Sequence, residues 1–269
     1  MRRLALDHLT VVDADPFELA VVASGTGCEG ICLFMQPMEV LPSMPAFDLY
    51  GDRTQRRRLG TVLADLGVAL DLAYPFTLSG RTTVSDFAPA MECAAELGTG
   101  ALNALIYDRE PSRRAENFGS FCDLASRFSL KVAVEFYPVS QVRTISDALT
   151  LVQGIGRPET VGINVDLLHL MRSGGSVADL ASIPPEYIRY AQVCDGPALR
   201  ATEDFDFEAS SDRLLPGEGS FDVEGFVTTL PTECPISIEV PRNADVGRLP
   251  SADRALAAVD ATRAVLNWV

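Results

Sequence analysis

Residues 131–166 read KVAVEFYPVSQVRTISDALTLVQGIGRPETVGINVD. A short run rich in branched apolar residues, Lys131–Phe136, precedes an amphipathic segment of helical period at Ser146–Gly154. A second apolar run, Val161–Val165, follows. Strand, helix and strand in this order are typical of a parallel sheet, because parallel neighbours need a crossover connection between them.

The same rhythm recurs along the whole chain. Further apolar runs predict strands at Leu4–Val11, Gly30–Met35, Ala69–Ala73, Ala101–Tyr107, Ile188–Val193 and Ile236–Val240. Amphipathic segments predict helices at Asp52–Leu66, Val84–Leu97, Ser112–Phe128, Phe221–Leu230 and Ser251–Trp268. Eight strand–helix units predict an α/β fold, a closed (β/α)8 TIM barrel, as a single domain over residues 1–269. The alternative, an open doubly wound sheet, is disfavoured because no dinucleotide or P-loop glycine motif follows a strand.

Composition narrows the class of partner. The chain has 22 basic and 37 acidic residues, which gives a net charge of −15 at pH 7. Nucleic acid and anionic membranes require basic surfaces, so we expect neither as a partner. No apolar run approaches the ~20 residues of a membrane span, and residues 1–8 lack the apolar core of a signal peptide. The six cysteines form no CxxC pair, which is typical of free thiols in a reducing compartment, so we expect a soluble cytoplasmic protein.

Polar residues stand at the ends of four strands that should be apolar throughout. Glu135 follows Val132-Ala133-Val134, Asp166 follows residues 161–165, Gln192 lies late in its strand, and Glu239 follows residues 236–238. Active sites of barrel enzymes lie at the carboxyl ends of the strands. A single acid there could cap a helix or pair with an arginine. Four polar groups at four consecutive strand ends indicate instead a common site.

Buried carboxylates that converge must share a cation or protons, because an unpaired buried charge loses its hydration. A divalent metal is the simplest partner, bound by Glu135, Asp166, Glu239 and the carbonyl oxygen of Gln192. Such oxygen donors favour Mn²⁺, with Mg²⁺ or Co²⁺ as alternatives. Zn²⁺ is less favoured because the four donors include no His or Cys.

The strand-to-helix links add further candidates. They are long at residues 36–51 and 194–220, where a barrel places its substrate-binding loops. His169, three residues beyond Asp166, could donate a hydrogen bond to a substrate oxygen, support a ligand, or serve only as a structural histidine. The acidic run Glu203–Glu208 is interpreted as a mobile lid or a solvated loop.

With these residues in place, the sequence resembles the xylose isomerase-like TIM-barrel superfamily, also called the sugar phosphate isomerase/epimerase family. The resemblance is carried by Glu135, Asp166-x-x-His169, Gln192 followed by Cys194-Asp195-Gly196-Pro197, Leu215-Pro216-Gly217-Glu218-Gly219, and Glu239. It implies a divalent metal centre and a small polyhydroxylated carbonyl substrate.

The branches of this family differ at particular positions. Ketose 3-epimerases are similar in Glu135, Asp166, His169 and Glu239 but usually carry histidine where this chain has Gln192. Hydroxypyruvate isomerase-like and 3-dehydroshikimate dehydratase-like members often have the amide. The dehydratase-like members also have an arginine before the glycine-rich segment, which makes Arg213 the implied substrate-binding residue. They usually differ after the first glutamate, where this chain reads Phe136-Tyr137-Pro138.

The favoured hypothesis is a metal-dependent isomerase or epimerase of a sugar or sugar-like polyhydroxy ketone. Glu135 and Glu239 would act as catalytic acid and base on an enediolate, with His169 assisting. The alternative is a dehydratase of a cyclic polyhydroxy ketone or keto acid. A barrel that only binds a ligand is the third class, and a homo-oligomer is left open.

Overall fold

The predicted strands form a closed parallel barrel in the order β1 to β8 in a computed structural model, which describes residues 2–200 and 202–267. The TIM-barrel prediction is confirmed. Each strand is short, buried and apolar over most of its length, as expected where helices cover the outer face. The strands are β1 (Leu4–Asp7), β2 (Gly30–Phe34), β3 (Ala69–Leu78), β4 (Ala101–Ile106), β5 (Lys131–Glu135), β6 (Val161–Asp166), β7 (Ile188–Val193) and β8 (Ile236–Ile238).

Helices follow the strands and pack their apolar faces on the barrel. Most begin at an acidic or hydroxyl side chain that accepts hydrogen bonds from the first turn, as Asp52 does from the N–H groups of Thr54 and Gln55. They are α1 (Pro16–Gly25), α2 (Arg53–Leu66), α3 (Ala88–Glu96), α4 (Pro111–Arg127), α5 (Ile145–Ile155), α6 (Leu167–Arg172), α7 (Val177–Ala181), α8 (Phe205–Ser211), α9 (Val223–Thr229) and α10 (Ser251–Val265).

Three strands end two or more residues away from the predicted position. β1 ends at Asp7, because the Asp7 carboxylate caps a 3-10 turn over His8–Val11. β3 continues beyond Ala73 to Leu78, and a register shift against β4 accommodates Pro75, which lacks an N–H for the ladder. β8 ends at Ile238, which leaves Glu239 just beyond the strand.

Two predicted helices also change at their ends. The segment at Val84–Leu97 divides into a 3-10 turn over Val84–Phe87 and then α3. The last helix ends at Val265, and Trp268 lies outside the described residues.

The core occupies the barrel interior and the layer between strands and helices. All six cysteines are buried free thiols, in agreement with the sequence interpretation. Lys131 is the first residue of β5 and therefore lies at the end of the barrel opposite the strand-end acids. Over the described residues, no helix is long and apolar enough to cross a membrane.

Candidate active site

The carboxyl ends of four neighbouring strands deliver the four predicted metal ligands. Glu135 and Asp166 are the last residues of β5 and β6, Gln192 lies one residue before the end of β7, and Glu239 follows β8. All four are at most 7% exposed. Strand pairing places Asp166 directly opposite Gln192, so closure of the barrel brings these side chains to one opening.

A histidine joins two of the acids. His169 Nε2 lies 3.2 Å from Glu135 Oε1 and 3.5 Å from Asp166 Oδ2. Local folding explains its position: Asp166 Oδ1 caps α6 by accepting the N–H of Leu168 at 2.6 Å, which turns His169 back over the strand ends. Within the described residues, these three side chains form the one His, Cys, Asp or Glu group close enough to hold a metal, with donor atoms within 4.8 Å.

Arg213 lies between two of the acids. Its Nη1 lies 2.8 Å from Asp166 Oδ2 and 3.1 Å from Glu239 Oε2, and its Nε donates to the Ala209 carbonyl at 2.8 Å. The β7–α9 segment returns across the opening through an isolated bridge between Asp212 and Arg242, and this places the guanidinium there. Arg213 is 3% exposed, so both ion pairs are shielded from water.

Burial raises the pKa values of Asp166 and Glu239, whereas the positive charge of Arg213 lowers them. Burial alone would raise the pKa of Asp166, but Arg213 and His169 outweigh it and lower that pKa to about 2. The pKa of Glu239 is raised well above its usual range, because burial and the nearby Asp7 exceed the effect of Arg213. One carboxylate of the group is therefore strongly ionised and another tends to hold a proton.

The charges of the cluster fit a divalent cation. Four buried carboxylates meet here, from Asp7, Glu135, Asp166 and Glu239, and Arg213 is the guanidinium among them. Among the described residues, Glu239 Oε2 also finds no hydrogen-bond partner, since its approach to Arg213 lacks hydrogen-bond geometry. Buried carboxylates are stable only when paired or bound to metal, so the residues present suit a metal ion.

A chain of amide side chains supports the ligands from inside the barrel. Asn103 Nδ2 donates to Glu135 Oε2, and Asn164 Nδ2 donates to Asn103 Oδ1 at 3.2 Å and to Gln192 Oε1. Gln192 Nε2 in turn donates to Asp7 Oδ2 at 3.2 Å. The chain fixes which atom of each amide faces its neighbour, so that Gln192 Oε1 faces Asn164 and Nε2 faces Asp7.

Sequence reasoning missed Asp7 and Asn103 as members of this site. The signal was present: each is a polar side chain in an otherwise apolar strand, Leu4-Ala5-Leu6-Asp7 and Ala101-Leu102-Asn103-Ala104. Tyr74 was also missed, and its hydroxyl donates to Asp7 Oδ1. His8 is fully buried, its Nε2 lies 2.9 Å from the Ala14 carbonyl oxygen, and burial lowers its pKa to about 4.

The glycine-rich segment after Arg213 is held by the carboxylate of Asp195. The Asp195 carboxylate accepts backbone N–H groups at 2.8 to 3.0 Å from Gly196, Gly217, Gly219 and Phe221. A Cβ at Gly219 would lie 2.2 Å from Asp195 Oδ1, so the close approach requires glycine. The N–H groups of Gly217 and Gly219 therefore bind this side chain.

A cavity of about 590 Å³ opens above the cluster and is lined by Glu135, His169, Gln192, Arg213 and Glu239. The run Glu203–Glu208, interpreted as a lid or solvated loop, forms part of its wall instead. It enters α8, where buried Glu208 pairs with Arg172 at 2.6 Å and Asp206 accepts the Tyr137 hydroxyl. The volume is in the range that holds a small organic ligand.

Comparison with known proteins identifies the family. The family model described as xylose isomerase-like TIM barrel matches residues 21–265. The chain belongs to the xylose isomerase-like TIM barrel family. The resemblance inferred from the strand-end residues is thereby confirmed.

Among curated members of this family, inosose isomerase of Bacillus licheniformis is 28% identical over 162 residues, 56% of each chain. The 3-dehydroshikimate dehydratase of Pseudomonas aeruginosa is 27% identical over 135 residues, 49% of this chain and 21% of that protein. The chain thus spans about half, or less, of the length of these curated relatives.

Solved structures share the xylose isomerase-like barrel at low identity. An IolI protein with a bound zinc atom superposes with a TM-score of 0.79 at 18% identity, covering 99% of this chain and 98% of that one. A D-psicose 3-epimerase crystallised with D-fructose gives 0.74 at 13% identity, covering 99% of both chains. The probable 3-dehydroshikimate dehydratase AsbF from Bacillus anthracis gives 0.75 at 16%, covering 96% and 97%. These likenesses establish the fold.

Proposed function

We propose that the chain is a divalent-metal-dependent isomerase or epimerase of a sugar or sugar-like polyhydroxy ketone, acting through an enediolate. One observation carries the proposal: buried carboxylates from β5, β6 and β8 meet beside His169 at the base of a ligand-sized cavity. The curated relative named inosose isomerase supports the same class of reaction.

Four side chains would hold the metal: Glu135, Asp166, Gln192 and Glu239. Their oxygen donors favour Mn²⁺, with Mg²⁺ or Co²⁺ as alternatives. His169 Nε2 adds a nitrogen within 3.5 Å of the Asp166 carboxylate, and the IolI protein named above holds zinc. When bound, a divalent ion supplies Lewis-acid polarisation of the substrate's carbonyl and adjacent hydroxyl oxygens.

The glutamates move the proton. Glu135 and Glu239 come from β5 and β8, three strands apart around the barrel, so they reach a substrate from different sides. One removes the proton from the carbon next to the carbonyl, and the C–H electron pair becomes the C=C bond of the enediolate. Return of a proton to the opposite face of that carbon is epimerisation. Return to the former carbonyl carbon is isomerisation.

The residues beside the glutamates bind the substrate and orient it. His169 donates a hydrogen bond to a substrate oxygen, and Arg213 binds a second oxygen while it keeps Asp166 ionised. Asn103 holds Glu135 Oε2, so Oε1, which lies 3.2 Å from His169 Nε2, is the oxygen that would face the substrate. The buried position strengthens each of these interactions.

Elimination of water from a cyclic polyhydroxy ketone or keto acid is the second candidate. Two observations favour it: the 3-dehydroshikimate dehydratase relative, and the arginine before the glycine-rich segment. Proton removal is the same first step. The enediolate then expels a β-hydroxyl, which leaves as water after protonation by a glutamate.

Proton NMR in D2O tests the proposal. Protein loaded with Mg²⁺ is incubated with ketoses, aldoses, hydroxypyruvate, an inosose and 3-dehydroshikimate. Loss of a signal from a proton next to the carbonyl, with new sugar resonances, is the expected result, and both Glu135→Gln and Glu239→Gln should abolish it. New vinyl or aromatic signals would support elimination and overturn the first proposal. Turnover retained in either variant would remove that glutamate from its role.

A further inference from the structure

Few positively charged side chains line the cavity. Among the described residues that line it, Arg213 is the one Arg or Lys. Its Nη1 already lies between Asp166 and Glu239, at 2.8 and 3.1 Å. The outer wall adds two further acids, Asp204 and Asp206.

A metal ion does not reverse this balance. A divalent ion at the strand ends would face the carboxyl groups of its own ligands, as Arg213 already faces Asp166 and Glu239, and the two acids of the outer wall remain. A phosphate or carboxylate on the substrate would lose hydration in the cavity and find no unpaired cation there. The site therefore disfavours anionic substrates.

Much of the remaining cavity lining is apolar, and we call this part the apolar wall. Phe34, Met38, Leu41 and Tyr74 belong to one packed cluster inside the barrel mouth, so this wall is fixed by the core. Val40 and Phe207 extend the lining to the entrance and are 78% and 51% exposed. A ligand that covers apolar side chains at a cavity entrance removes them from water, and this burial makes the free energy of binding more favourable.

On the basis of the proposed function, we infer that the substrate is an uncharged polyhydroxy carbonyl compound that carries an apolar aryl or alkyl substituent. Its carbonyl and hydroxyl groups face the acids at the strand ends, and its substituent lies against the apolar wall that includes Val40 and Phe207. The cavity of about 590 Å³ leaves room for a group beyond a single sugar ring.

Matched ligands test this inference by calorimetry, with and without Mg²⁺. The probes are the methyl glycoside, the phenyl glycoside and the 6-phosphate of 3-oxo-D-glucose and of 3-oxo-D-galactose, each of which carries a ketone between hydroxyl-bearing carbons. We expect the phenyl glycoside to bind at least about tenfold more tightly than the methyl glycoside, from the apolar area it covers. The phosphates should bind no more tightly than the methyl glycosides. Val40→Ser and Phe207→Ser should each reduce the phenyl preference several-fold.

Val21→Ser is the matched control, because Val21 is 56% exposed on α1 and does not line the cavity. Equal binding of phenyl and methyl glycosides, no binding of any probe, tighter binding of a phosphate, or an unchanged preference in both wall variants would overturn the inference. Failure of the proposed function is distinguishable, since a protein that binds no divalent ion and exchanges no proton can still show the phenyl preference.

Discussion

Arg213 Nη1 lies 2.8 Å from Asp166 Oδ2, in an ion pair whose side chains are 2% and 0% exposed. The two residues are 47 positions apart, and Arg213 of this pair lines the cavity. Because both charges are shielded from water, removal of one partner would leave the other uncompensated. The pair therefore couples the stability of the barrel mouth to its charge balance.

Arg213→Met should lower the free energy of unfolding by about 3–5 kcal/mol, since Asp166 and Glu239 lose their buried cation. Arg213→Lys keeps the positive charge, so its free energy of unfolding should decrease by less. Urea denaturation in the presence of a chelator measures both. A methionine variant as stable as the parent chain would show that the guanidinium does not compensate these acids.

Asn103→Leu should weaken Mn²⁺ binding by about 10–100-fold, because the hydrogen bond that orients Glu135 is lost while the side-chain volume is nearly kept. Calorimetric titration with Mn²⁺ measures the change. Asn117→Leu, at a half-buried position on α4, is the control and should bind Mn²⁺ as the parent chain does. Equal affinities in the two variants would contradict a positioning role for Asn103.

The sequence predicted the strand-end residues well, because parallel strands place their carboxyl ends at one side of a barrel whatever the loops do. Glu135, Asp166, Gln192 and Glu239 all lie at that opening. Their role as metal ligands stays a prediction.

The missed features depend on closure or on local capping. Asp7 and Gln192 are 185 positions apart and meet only because β1 and β7 both flank β8. Helix α1 was not predicted, since its apolar residues are not concentrated on one face. The acidic run at 203–208 gave no sign that Glu208 would be buried against Arg172, a contact between α6 and α8.

Asp195→Asn should lower the free energy of unfolding by about 3 kcal/mol. The carboxylate accepts four backbone N–H groups, and an amide would present a donor to some of them. Asp222→Asn is the matched control, because Asp222 caps α9 through one oxygen, which asparagine retains. Urea unfolding compares the two variants. An equally small decrease in the free energy of unfolding in both would contradict a stabilising role for the four hydrogen bonds to Asp195.

Asp71 should make stability fall as pH rises. Its burial raises its pKa from 3.8 to about 6 despite its ion pair with Arg3, so the folded chain holds a proton that the unfolded chain releases. The resulting stability is complete below pH 3.8 and disappears as pH rises through about 6. Relative to the parent chain, Asp71→Asn should therefore gain about 1.4 kcal/mol between about pH 5 and pH 7.5.

Urea unfolding of both chains at the two pH values measures this difference, in which the contributions of the active-site acids cancel. Asp65→Asn, on the exposed surface of α2, provides the control variant. A pH-independent difference between Asp71→Asn and the parent chain would show that Asp71 is ionised throughout.

The proposed chemistry depends most directly on a divalent ion held at the strand ends. Equilibrium dialysis against Mn²⁺, followed by metal analysis, should find one ion per chain in the parent protein. Asp166→Asn keeps the cap of α6 but should lose the ion, as should Glu239→Gln, whereas Asp206→Asn at the cavity wall should retain it. No bound Mn²⁺ in the parent chain, or full binding of Mn²⁺ in Asp166→Asn, would contradict a metal site at the strand ends.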